Sequence, residues 1–281
     1  MGGIYWLASY WKSGNTWFRT WLWYLRATDD APVDLNALGT PIASSRAWLD
    51  AVLGVDTADL DWDEIDRLRP AVYDWSRTRD HIGFHKIHDA YLIGADGTPL
   101  VGAESLGAIY LVRNPLDVAP SYSAHTGRSL DEAIDMMGNR GHSHNAHVDR
   151  LALQVRQRSL DWSGHVLSWT GAGLPVHVVR YEDMHADPYR TLAHAARFLG
   201  LSDDTARIAR AVRECGFERL RARERAEGFA ERPTQMPAFF RSGRVGAWRD
   251  QLSDAQVKQI IEDHGEVMRH FGYLDQQGHP M

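Results

Sequence analysis

Apolar and polar positions along the chain switch between two periods. Residues 4–10, IYWLASY, are an almost unbroken apolar run, the mark of a strand buried on both faces. The next stretch, TWFRTWLWYLRA (16–27), turns to a helical period, with Trp17, Trp21 and Leu25 along one face. Short helical patterns follow in SSRAWLDAVLG (44–54) and WDEIDRLRPAVYDW (62–75), within a mixed region broken by Pro32, Pro41 and Gly54. HIGFHKIHDAY (81–91) predicts a short strand with a polar tip, and SLGAIYLVRNPLDVAPSYSAH (105–125) a strand, a loop and a helix. Pro115 sits where that helix begins, which suits its fixed φ and missing N–H. Residues 125–150 are polar, with glycines and histidines, and predict a loop-rich lid; residues 148–173 predict one long amphipathic helix ending at glycines. LPVHVVRYEDM (174–184) predicts a third main strand, and residues 188–201 and 203–215 two helices. Residues 228–248 have no period and predict a long functional loop; residues 253–273 predict a terminal helix capped by Ser253.

Strands alternating with helices imply an α/β protein of three layers, with a central parallel sheet covered on both faces. No repeat, low-complexity tract or proline-rich linker divides the 281 residues, so a single domain is expected over 1–281. The net charge of −6 argues against general nucleic-acid binding. One cysteine, Cys215, excludes an intramolecular disulfide and suits a reducing compartment. The N-terminus has no basic region, and its apolar run is too short for a signal core or a membrane span, so a cytoplasmic protein is expected. The arginine- and alanine-rich composition points to a GC-rich bacterial genome. Lysine occurs only at positions 12, 86 and 258. In a chain that otherwise uses arginine, each lysine marks a place for a compact point charge.

Two of those lysines lie in segments with chemical content. ASYWKSGNTWFRTWL (8–22) puts Lys12, Ser13, Gly14, Asn15, Thr16 and Trp17 where a strand gives way to a helix. Such a turn offers backbone N–H groups and the positive end of the helix dipole to an anion. Lysine here precedes the glycine, and Ser9 stands five residues before Gly14, so the order is not that of an ATP-binding loop. The second segment, YLVRNPLDVAPSY (110–122), ends a strand on Arg113, whose fork suits a phosphate, with Ser121 two helical turns beyond. FHKIHDAY (84–91) puts Lys86 and His88 two apart, and therefore on one side of a strand, with His85 facing away; His81 is a nearby competitor.

Together these segments resemble the PAPS-dependent sulfotransferases, which use 3′-phosphoadenosine 5′-phosphosulfate. SYWKSGNTW resembles their phosphosulfate-binding loop, similar in place to a P-loop, with Trp11 for proline and Asn15 for the first threonine. YLVRNPLDVAPSY resembles their 3′-phosphate segment, with Leu116 replacing a lysine and Pro120 an apolar residue. RYEDM implies Tyr181 beside the adenine. ECGFERL implies Phe217 stacked on the purine and Leu220 lining its pocket, with Cys215 and Gly216 in place of two hydroxyl residues. FFRSGRVGAW resembles the closing motif through Arg241, Gly243, Gly246 and Trp248, with Ser242 in place of a lysine and Arg244 a candidate substitute. The resemblance implies His88 as general base, with Lys86 and Lys12 as charge-stabilising partners. No metal is expected; the spacing of His142, His144 and His147 fits no common zinc pattern.

The acceptor is expected to be a small hydroxyl compound, aromatic or apolar, met by loops within 29–80, 125–150 and 228–240, with Trp48, Trp75, Tyr91, Phe229 and Phe239 as the candidate aromatics. The family's C-terminal dimer motif is not preserved in RDQLSDAQVK, which leaves the oligomeric state open. Two alternatives stand: a small-molecule or nucleotide kinase, and a nucleotide-binding module without catalysis.

Overall fold

The computed structural model describes residues 2–28, 31–76, 81–147 and 149–281. The elements along them are β1 (Gly3–Ser9), α1 (Asn15–Arg26), α2 (Arg46–Leu53), α3 (Trp62–Ser76), β2 (Ile82–Ile87), β3 (Gly107–Val112), α4 (Pro115–Thr126), α5 (Leu130–Gly138), β4 (Ser143–His144), β5 (Gln157–Arg158), α6 (Trp162–Thr170), β6 (Val176–Arg180), α7 (Tyr181–Ala186), α8 (Pro188–Phe198), α9 (Thr205–Glu214), α10 (Phe217–Glu227) and α11 (Asp254–His270). A parallel sheet in the order β2-β1-β3-β6, flanked by helices, gives the expected α/β architecture. β1 and β2 pair in register from Gly3 with Ile82 to Ala8 with Ile87. Every residue of β3 is buried, which is why its sequence shows no alternation.

Two sequence expectations are corrected. The stretch 125–150 is not all loop: LDEAIDMMG forms α5, whose Ala133, Ile134 and Met137 are buried. Of the long helix expected over 148–173, residue 148 lies outside the described residues, and 149–173 do not form it. Only Trp162–Thr170 is helical, begun by Asp161, whose carboxylate accepts from Gly164 N at 2.6 Å. Upstream, Val155 N donates to Ser44 O, Gln154 pairs with Ser44, and Arg156 reaches Asp63 and Asp66. These distant partners hold the backbone extended and override the local helical period. α7 and α10 also begin at Tyr181 and Phe217, where motif residues rather than periodic runs were legible.

The chain sorts into two compact units interleaved in sequence. One comprises Met1–Tyr10, Thr40–Tyr110 and Asn139–Val178. Its core includes Trp6, Leu7, Phe84, Ile87, Ile109, Trp162, Val166 and Trp169. Inside it the Arg69 guanidinium grips both oxygens of Asp89, at 3.1 and 2.6 Å, with both side chains fully buried. A buried pair of this kind is costly to break from one side, so it fixes the position of Asp89.

The other unit comprises Trp11–Gly39, Leu111–Gly138 and Val179–Met281. Its core includes Phe18, Trp21, Leu116, Tyr122, Met137, Leu192, Ile208, Ile260 and Met268. Two buried carboxylates order its aperiodic stretch. Asp117 accepts from Gly246 N at 2.7 Å and Trp248 N at 3.0 Å, and Glu224 accepts from Phe239 N at 2.6 Å and Phe240 N at 2.9 Å. α11 carries a full capping box, with Ser253 and Gln256 each bonding the other's backbone N–H.

Burial holds several histidines neutral: His85 and His264 titrate at about 4 and His165 at about 3, against an ordinary 6.5. Below 6.5 the unfolded chain takes up protons that the folded chain refuses. Stability to urea is therefore full above that value and falls as the pH drops through 4. A urea midpoint that rises on acidification across this range contradicts the assignment.

Candidate functional site

In an open parallel sheet, ligands bind beyond the carboxyl ends of the strands, at the point where strand order reverses. Here β1 has β2 on one side and β3 on the other. The residues next in the chain after β1 and β3 are the turn 10–14 and Arg113.

In the second unit, Lys12 and Gly14 both adopt the left-handed backbone, at φ 61° and 97°. They turn the chain sharply so that α1 begins at Asn15, and no side chain caps that helix. Arg113 braces the turn. Its Nη1 donates to Lys12 O and its Nη2 to Arg244 O, both at 3.2 Å, while its guanidinium lies 4.2 Å from the centre of the Tyr181 ring. Arg113 does not pair with Asp117, whose carboxylate serves Gly246 and Trp248 instead. The Lys12 ammonium rests over the Phe239 ring at 4.1 Å.

Ser13 Oγ, Arg113 Nε, Ser242 Oγ and Trp248 Nε1 are among the buried polar atoms on these segments that find no protein partner. Buried polar groups are almost always paired. Such atoms also occur off these segments, at Trp21 Nε1 and Arg221 Nε, so the coincidence with the motif positions carries the point. All four can donate a hydrogen bond, which suits a ligand rich in anionic oxygens.

The aromatic positions are built around two glycines. A side chain at Gly14 would meet Tyr181 Cδ2 at 2.7 Å, and one at Gly243, where φ is 62°, would run into the Phe217 ring. Phe217 opens α10, Leu220 is buried behind it, and Cys215 O accepts from Trp17 Nε1 at 2.8 Å. Trp17 also packs edge-on to Tyr181, with 5.6 Å between ring centres. Asn15 and Thr16 are buried in the first turn of α1. Ser121 is half-buried in α4, which runs unbroken through Pro120; the exposed Arg241 donates to Pro120 O at 3.2 Å. Gly243→Ala should therefore lower stability by about 1–3 kcal/mol more than Gly54→Ala, because overpacking adds to backbone strain. Gly54 has φ 70° but open space around it. Equal shifts in the urea midpoints would show that Phe217 does not press on Gly243.

In the first unit, Lys86 and His88 lie at the carboxyl end of β2. His88 is buried, and its Nδ1–H donates to Ser9 O at 2.8 Å, with Ser9 Oγ at 3.2 Å. This bond puts a proton on Nδ1, so in the neutral ring the lone pair lies on Nε2. The Lys86 backbone is held on both sides, its N–H by Pro41 O and its carbonyl by Ala43 N, each at 2.8 Å. His85 turns the other way, as alternation requires, and packs against Trp6 and Trp48 at 5.9 and 5.0 Å between ring centres. His81 is exposed. Trp48 also packs against Tyr73. Among the described residues, no cluster of three or more His, Cys, Asp or Glu is arranged to hold a metal ion.

A family model described as the sulfotransferase domain matches residues 4–272. The chain belongs to the sulfotransferase family. It is similar to flavonol 3-sulfotransferase of Flaveria bidentis, 24% identical over 166 residues (54% of this chain and 51% of that one), and to cytosolic sulfotransferase 17 of Arabidopsis thaliana, 24% identical over 185 residues (59% and 50%). The chain spans about half the length of the curated relatives it matches. Its fold is like that of a mouse sulfotransferase, SULT7A1, complexed with PAP, at TM-score 0.59 and 19% identity over 98% of this chain and 87% of that one. It is also like retinol dehydratase in complex with retinol and PAP, at TM-score 0.61 and 20% identity over 95% and 81%.

Within this sulfotransferase domain, sequence reasoning missed the two carboxylates that order the long loop. Asp117 is visible only as a helix first-turn acid, the usual place for one. Glu224 sits in an arginine-rich helix and reads as a surface charge. Phe239, expected to face an acceptor, lies under the Lys12 ammonium. No helix among the described residues is long and apolar enough to cross a membrane.

Proposed function

We propose that this chain transfers the sulfuryl group of PAPS to a hydroxyl of a small acceptor and releases 3′,5′-adenosine diphosphate (PAP). The observation that carries the reading is the set of unpaired buried donors on the segments that resemble the family's phosphate-binding motifs: Ser13 Oγ, Arg113 Nε and Ser242 Oγ. Ser13, Gly14, Asn15 and Thr16, with the uncapped start of α1, hold the 5′-phosphosulfate end. Arg113, Ser121, Arg241, Ser242 and Gly243 hold the 3′-phosphate. Tyr181, Phe217, Leu220 and Trp17 border the adenine. Bound PAPS supplies the activated sulfur.

His88 takes the acceptor's hydroxyl proton on Nε2 as the acceptor oxygen bonds to sulfur and the sulfur–oxygen bond to the phosphate breaks. Lys12 meets the negative charge left on that phosphate oxygen, and Lys86 supports the transferring group. To do so, Lys12 leaves the ring of Phe239, an exchange of a weak contact for a charged one. The buried Cys215 suits the reducing cytoplasm. The acceptor is an apolar or aromatic hydroxyl compound; the related retinol dehydratase is known in complexes with retinol and with androsterone.

The test is transfer of labelled sulfate from PAPS to a panel of phenols, sterols, primary alcohols and sugars. Label on an apolar hydroxyl compound, and none without enzyme, supports the reading. Tight PAP binding with no transfer to any acceptor would favour a nucleotide-binding module instead.

A further inference from the structure

The His88 carbonyl is held as carefully as its ring. His165, fully buried in α6, donates from Nε2–H to His88 O at 3.2 Å. Its other nitrogen, Nδ1, lies 2.8 Å from the hydroxyl of Tyr110, also fully buried, in β3. A carbonyl can only accept, so the His165 proton sits on Nε2 and Nδ1 accepts from the Tyr110 hydroxyl. Burial keeps this imidazole neutral, which preserves that pattern. The Tyr110 oxygen accepts in turn from the Tyr10 backbone N–H. Tyr10 follows Ser9, and Ser9 O accepts from His88 Nδ1.

The bonds therefore close a ring: Tyr10 N–H to Tyr110, Tyr110 to His165, His165 to His88 O, and His88 Nδ1–H to Ser9 O. The packing matches it. The Tyr110 and His165 rings stack 5.7 Å apart, and Tyr10 meets His165 edge-on at 5.5 Å. The next peptide is fixed as well, since Trp169 Nε1 donates to Asp89 O at 3.0 Å and Arg69 holds the Asp89 carboxylate.

We propose that Tyr110 and His165 are positioning residues for His88: their hydrogen-bonded ring ties the end of β1 to the His88 backbone and holds the imidazole with its proton on Nδ1. Neither is assigned to touch substrate. The proposed base role rests on the reading above, but the geometry of the ring does not. The Ser9 carbonyl can only accept, so His88 keeps its proton on Nδ1 as long as the ring holds that carbonyl within reach of the imidazole. A histidine free to rotate or to move its proton to Nε2 would present a donor where an acceptor is needed.

The experiment uses the full chain labelled with nitrogen-15 histidine, with the His88 signals assigned from their loss in His88→Asn. The readouts are the His88 tautomer, turnover and the affinity for PAP. The wild type should show the Nδ1–H form of His88. Tyr110→Phe removes one oxygen atom and should give a mixture of tautomers, with turnover down at least tenfold and PAP affinity unchanged. His165→Leu should do the same or more, and His165→Gln, whose amide N–H can replace the Nε2–H donor, should recover most of both. If His165→Leu fails to fold, Tyr110→Phe and His165→Gln still decide.

A His88 tautomer unchanged in Tyr110→Phe and in His165→Leu overturns the proposal. So does a His165→Gln variant no better than leucine. If the wild type transfers no sulfate while its His88 signals respond as expected, the ring stands and the sulfotransferase reading fails; the converse result separates them the other way.

Discussion

Replacing His88 with asparagine is expected to lower sulfuryl transfer by about 10²–10⁴-fold, the usual share of a general base, without changing the affinity for PAP. The asparagine amide nitrogen takes nearly the place of Nδ1, so the bond to Ser9 O at 2.8 Å can be kept. What is removed is Nε2, the atom that accepts the proton in the proposed mechanism. His88 is buried at the carboxyl end of β2, so a truncation to alanine would also leave a cavity and an unpaired Ser9 carbonyl. The asparagine variant separates those effects from the chemistry. Initial rates and calorimetric titration with PAP check it: turnover within tenfold of wild type means that another group takes the proton. His85 is a poor substitute, since burial holds its pKa at about 4 and it faces Trp6 and Trp48.

Replacing Arg113 with methionine is expected to weaken PAP binding by about 10²-fold or more, since hydrogen bonds from a charged donor contribute about 1.5–3 kcal/mol each. Two effects add. The guanidinium is lost as the proposed phosphate clamp, and its bonds to Lys12 O and Arg244 O no longer brace those two segments. Arg113→Lys keeps the charge but loses the fork, so it should recover only part of the affinity. The stack on Tyr181 is weakened too. Titration of both variants with PAP gives the answer. An Arg113→Met variant that binds PAP like the wild type would remove Arg113 from the site. One that unfolds at a much lower temperature without any change in affinity would make it a brace alone.

The parts of this molecule that were legible in its sequence are those whose determinants are local. β1 and β3 are continuous apolar runs, α4 starts at a proline, and α11 carries its capping box within four residues. The turn after β1 and the end of β3 were legible as local features for the same reason: lysine, serine and glycine stand together, and Arg113 closes an apolar run. The stretch 151–159 was not legible because its partners, Ser44, Asp63 and Asp66, lie about ninety or more residues away. Asp117 and Glu224 were missed on the same ground, since each serves backbone N–H groups of the 239–248 region and nothing in its own neighbourhood says so. The His165–Tyr110 ring shows the same limit within the site, being assembled from β1, β2, β3 and α6.

The most direct measurement is calorimetric titration of the chain with PAP, 5′-AMP, 3′-AMP and ATP with magnesium, side by side. Two separate phosphate seats predict that PAP binds far more tightly than either monophosphate, and that magnesium adds nothing to it. Equal affinity for PAP and 5′-AMP, or preferential binding of ATP with magnesium, would contradict the account.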